Sequence, residues 1–93
     1  LEDYNYLMQR FESWLEELLL RGLSQFSTRD LDVLQPLAEE SLQLQMTFLH
    51  ELVEHVIREG RRVALGEGDE DVLFYQFCRL TQYVQLSIKQ DSV

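Results

Sequence analysis

Apolar residues recur along most of this chain in steps of three and four, the period of a packed helix. That rhythm restricts the fold to packed helices. Tyr4, Leu7, Phe11, Trp14 and Leu18 carry it over a first helix from about Asp3 to Arg21. Met8, Leu15 and Leu19 widen the stripe on one flank, while Tyr6 and Leu20 point away from it. Gly22 suits the left-handed residue just past a helix end, with Leu23 folding back on Leu18 in a Schellman ending.

The next start signal is Ser27 with Asp30 three residues on, a partial capping box because aspartate is shorter than the usual glutamate. Phe26 can staple onto Leu31 across that cap. Pro36 lacks an N–H and crowds the preceding turn, which predicts a short helix over Thr28–Leu34 and then a kink or break. A long helix is expected from Pro36 to Leu65, running through Gly60. The plain loop is LGEGDED, residues 65 to 71, with Asp69 as N-cap of a last helix over about Glu70–Lys89. Leu73, Phe77, Leu80 and Val84 line one face of that helix. The expected fold is all-α: one domain over residues 1–93, an antiparallel three-helix bundle with a kinked or broken second helix. The overlong member leaves a slot that a fourth helix from a second chain would complete.

Composition narrows the class of partner. Ninety-three residues, 45% of them hydrophobic, make one small domain with a modest core. Seventeen acids against eight bases give a net charge of −9. Nucleic acid and anionic membrane are therefore excluded as partners, since both draw affinity from lysine and arginine. The one basic cluster, Arg58, Arg61 and Arg62, falls near a helix C-terminus, where the macrodipole favours cations. Cys78 is the single cysteine and is expected as a buried structural thiol in a reducing, cytoplasmic setting. No apolar run approaches a membrane span. A chain opening on Leu1 is expected to be a processed piece of a longer protein.

The stretch FLHELVEHVIREG, residues 48 to 60, holds two histidines and two glutamates within six positions. A zincin site needs its histidines four apart on one helix face. His50 and His55 are five apart, which turns them about 140° from each other. His50 and Glu54 keep a His-x-x-x-Glu spacing that resembles one fragment of a hemerythrin-type iron site, but such sites draw on more histidines than the two present. A solvated helical His–Glu pair is the expected state. Glu51 and Glu54 form an ExxE step, and Glu67 and Glu70 form another. Paired steps of this kind resemble the magnesium site of all-α, MazG-like nucleotide pyrophosphatases, where carboxylates hold hard cations against phosphate oxygens. Here the second step falls in a glycine loop, and Glu70 stands where that family has an aspartate. No cofactor is expected.

What rises above this background is apolar excess on the expected long helix. Leu42, Met46, Leu49, Val53 and Val56 form one stripe, widened by Leu52 and Ile57. On a neighbouring flank lie Leu37, Leu44 and Phe48, with His55 below them. This points to a non-catalytic interaction or dimerisation module, meeting a second copy or another protein through that flank. Two other functions remain open at this stage: the magnesium-dependent pyrophosphatase, and an acidic inhibitor that covers a basic partner surface. Because His50 and His55 diverge, the purified protein is expected to carry no stoichiometric zinc or iron. Elemental analysis finding one metal per chain would overturn that expectation.

Overall fold

Among the described residues the chain forms four α-helices rather than three. The computed structural model describes the backbone of residues 2–91 and the side chains through residue 89. Helix α1 spans Glu2–Arg21, α2 Thr28–Gln43, α3 Thr47–Ala64 and α4 Glu70–Asp91, with a 3₁₀ turn over Leu23–Gln25 between α1 and α2. The predicted first and last helices agree to within two residues. The predicted long second helix does not form.

Its break falls eight residues beyond the proline, at Leu44–Met46. Pro36 lies inside α2, on an exposed stretch where the carbonyl of Asp32, deprived of its helical donor, faces water. The chain turns instead at Gln45, which adopts φ +61°. The Met46 N–H donates to the Ser41 carbonyl at 2.9 Å and the Gln45 N–H to the Leu42 carbonyl at 3.0 Å, the paired bonds of a Schellman ending. A non-glycine residue in that region is uncommon, and no glycine marks the turn. Leu42, assigned to the core stripe of a continuous helix, is consequently exposed.

Gly22 takes the expected positive φ, +96°, but its ψ of 144° is far from the left-handed helical value. Its N–H closes α1 with a 2.8 Å bond to the Leu18 carbonyl, and the chain passes into the 3₁₀ turn instead of a Schellman ending. The acidic loop behaves as expected. Gly66 at φ +78° ends α3, and Asp69 Oδ1 accepts the Asp71 N–H at 2.8 Å as the cap of α4. A Cβ on Gly68 would lie 2.5 Å from the Val63 backbone nitrogen, so that position has no room for a side chain.

Consecutive helices run antiparallel in a closed ring: α1 packs on α2, α2 on α3, α3 on α4, and α4 on α1. Leu7, Phe11, Leu18, Leu34, Leu49, Val53, Leu73 and Leu80 fill the centre. The place expected for a second chain's helix is thus taken by this chain itself. Arg10 of α1 pairs with Glu40 of α2 across that seam, its guanidinium 4.4 Å from the Tyr6 ring centre. Cys78 is exposed on α4, not buried, because it falls one residue past Phe77 and turns off the core stripe. Leu19, placed beside the first stripe by the sequence, is exposed as well. Among the described residues no helix is long and apolar enough to cross a membrane.

Phe26 joins the two halves of the ring. Its ring lies over Gly60 of α3 and meets Trp14 edge-on, with centroids 6.2 Å apart. A Cβ on Gly60 would stand 2.3 Å from the Phe26 ring. Gly60→Ala would gain about 1 kcal/mol of helix propensity, but displacing a packed aromatic costs about 1–3 kcal/mol. A net loss of about 1 kcal/mol is expected in urea denaturation. An unchanged or raised midpoint would show that the ring is free to move aside.

Candidate functional site

The histidines do not build a metal site. His50 is half-buried, and its Nδ1 lies 2.9 Å from the Ala38 carbonyl, which makes it the donor tying α3 back onto α2. Its Nε2 is 4.0 Å from Glu54. The expected solvated pair is therefore a half-buried latch across the new turn. Of the ExxE steps, Glu51 is exposed and Glu54 half-buried in α3, whereas Glu67 and Glu70 are exposed in and after the acidic loop. About 15 Å of helix axis separates Glu54 from the end of α3. Glu59, not either ExxE step, reaches the loop, accepting the Asp69 N–H at 2.9 Å. Among the described residues no three His, Cys, Asp or Glu side chains come together as a ligand set.

The apolar flank divides. Leu37 is 2% exposed and belongs to the core, so it cannot meet another chain without the domain opening. Leu44 is half-buried at the C-cap of α2, in a shallow depression beside Asp3, Pro36 and Glu40. The turn after it breaks the helical continuity that had joined it to Phe48. Phe48 is 53% exposed, and half-buried His55 follows two turns later on the same flank of α3.

Phe48 instead finds its neighbours on α4. Its ring centre is 5.6 Å from that of Tyr83. An open groove of about 220 Å³ runs between the helices, lined by Phe48, Leu52, Arg79, Gln82, Tyr83 and Leu86. Leu86 is 56% exposed, and Tyr75 extends the same flank of α4, with the Arg79 guanidinium 5.9 Å from its ring centre. Tyr75, Arg79, Gln82 and Leu86 step by four, three and four, a second stripe on the outer side of α4, turned about 160° from the core one. That periodicity is present in the sequence. It goes unread because Leu73, Phe77, Leu80 and Val84 already account for one buried face.

Asp30 is the other place where polar groups converge, 3% exposed at the start of α2. Its Oδ1 accepts the Trp14 indole N–H at 3.0 Å and an Arg21 guanidinium N–H at 2.6 Å, while Oδ2 accepts the Ser27 N–H at 2.9 Å. Ser27 and Asp30 thus form the predicted capping box. Its Asp30 half dominates, because the Asp30 N–H already donates to the Ser27 carbonyl at 3.0 Å. Burial alone raises the Asp30 pKa; the Arg21, Ser27 and Trp14 donors outweigh it and hold the carboxyl below its ordinary value. The Asp30 hydrogen bond in turn raises the Arg21 pKa, against the opposing effect of desolvation. A buried carboxylate with a shifted pKa marks a candidate active group. Here both oxygens are engaged by donors from the chain itself, which makes Asp30 a structural node.

Asp30→Asn should cost about 2 kcal/mol at neutral pH, the scale of a buried hydrogen bond to a charged group. A depressed folded pKa makes that advantage complete above the unfolded value near 3.8 and lost as pH falls through the folded pKa. Urea midpoints of wild type and variant should therefore converge in acid. A gap that stays constant into acid would show that the Asp30 charge contributes nothing. Compared with protein families, with curated proteins and with solved structures, the chain matches none.

Proposed function

We propose that this domain is a non-catalytic protein-interaction module whose docking face is the groove between α3 and α4. The observation that carries the proposal is the set of exposed apolar groups there: Phe48 and Leu86, with Tyr83 and Leu52 beneath them, and Tyr75 beyond Arg79 along α4. Scattered single apolar residues are ordinary on a protein surface, but a contiguous, aromatic-lined strip with one arginine has the composition of an interface core. Tyr83 and Phe48 already pack against each other with their rings tilted, so little side-chain freedom is lost when a partner covers them. The partner is a second protein chain, and another copy of this one is the first to test. The chain's own closure into four helices removes one reason for a second copy, while the exposed strip supplies another.

The carboxylate steps do not support the pyrophosphatase alternative, since Glu51 and Glu54 lie in the first half of α3 whereas Glu67 and Glu70 lie beyond its C-terminus. Phe48→Glu and Leu86→Glu both replace half-exposed side chains. Each is expected to leave the helical circular dichroism intact and to cost no more than about 1 kcal/mol in stability. If two copies associate through this face, light scattering gives a dimer for the wild type and a monomer for either variant. A wild type that stays monomeric at high concentration eliminates self-association and leaves a different protein as partner. A dimer that survives both changes would remove the α3–α4 groove from the interface.

A further inference from the structure

We propose that a second surface, the groove between α1 and α4, receives a basic amphipathic helix from another protein. Leu15, Phe77 and Val84 form its buried floor, and it opens as a dimple of about 70 Å³. On its α1 side Glu12, Leu15, Glu16 and Leu19 share one helix face, and Leu19 at the lip is 61% exposed. On the α4 side Phe74, Cys78, Thr81 and Gln85 step by four, three and four. Half-exposed Phe74 and exposed Cys78 therefore carry the same flank past the dimple. The surface is distinct from the Phe48 groove, whose α4 residues Tyr75, Arg79, Gln82 and Leu86 lie about 100° further round the helix.

Charge decides the occupant. Glu12 and Glu16 are like charges one turn apart, a mildly destabilising pair within a helix. Neither has an ion-pair partner among the described residues. The two arginines of α1 are engaged elsewhere, Arg10 with Glu40 and Arg21 with Asp30 and Glu17. α1 therefore offers this groove no cation of its own. A second copy brings another net −9 to the contact, which disfavours it as the occupant of this acidic groove.

Shape decides its conformation. The groove runs between two antiparallel helices and offers no strand edge, so an apolar stripe in helical spacing fits it, with lysine or arginine beside the stripe to meet Glu12 and Glu16. The Thr81 hydroxyl of the groove wall is buried, with no hydrogen-bond partner among the described residues.

The test uses the whole chain and two fluorescent peptides, one with leucine and lysine at helical spacing and one with leucine and glutamate. Anisotropy should register binding of the lysine peptide alone, weakening as salt is raised. E12Q/E16Q should weaken it about tenfold. D32N/E39Q, which removes the same charge from exposed positions on α2, should stay within about twofold. Leu19→Ser should weaken binding several-fold while circular dichroism stays that of the wild type. Phe48→Glu should bind the peptide unchanged, which separates this surface from the α3–α4 groove. Equal weakening by both double variants would reduce the effect to bulk charge and overturn the proposal. So would equal binding of the two peptides, no binding of either, or an L19S variant that binds like the wild type.

Discussion

The Asp30 carboxylate is the contact on which the geometry of the bundle depends. It takes donors from Trp14 in the middle of α1, from Arg21 at its end, and from Ser27 at the corner before α2. A carboxylate buried without those donors would be costly, so the corner between α1 and α2 forms with all of them or is strongly destabilised. Fixing Trp14 has consequences further in. Its indole meets Phe26 edge-on and Phe77 at 6.3 Å between centroids, and Phe26 in turn lies on the one place along α3 where no Cβ stands in the way. One polar node thus orients an aromatic cluster that reaches α1, α3 and α4.

A second constraint acts at the other end of the molecule. The turn at Leu44–Met46 reverses the chain, and His50 secures the reversal by donating to the Ala38 carbonyl. Ser41, fully buried between the helices, is satisfied within α2 by its 2.7 Å bond to the Leu37 carbonyl. The two halves of the expected long helix then pack on each other. Leu37 goes inside and Leu42 outside, and Phe48 turns toward α4. The proposed α3–α4 face follows from that reversal, since on a continuous helix Phe48 would have shared its flank with Leu37 and Leu44.

Charge is distributed so that the two apolar grooves beside α4 differ in kind. The α3–α4 groove carries Arg79 next to its aromatic rings, whereas the α1–α4 groove is bordered by Glu12 and Glu16. Most other cations on the outer surface are committed or grouped at the end of α3, where Arg61 and Arg62 face the helix C-terminus. A net charge of −9 does not by itself identify a partner. Its local arrangement assigns opposite preferences to two neighbouring surfaces on one helix.

The sequence by itself determined helix content, the extents of α1 and α4, the acidic loop with its Asp69 cap, and the start of α2 at Ser27. These depend on local physics: hydrophobic period, side-chain caps and the backbone freedom of glycine act within a few residues. It did not determine where the second helix ends. Pro36 carries the stronger local signal, yet a helix tolerates it where the freed carbonyl faces water, and Gln45 takes a conformation that its side chain does not advertise. Nor could periodicity say which apolar residues would be exposed: Leu42, Leu19 and Cys78 turn outward, while Leu37 turns into the core. That is set by which helix lies against which, and only packing four helices into one ring decided it. Asp30 spans both cases: its spacing from Ser27 marked the cap, but its partners Trp14 and Arg21 come within reach only when α1 and α2 fold together.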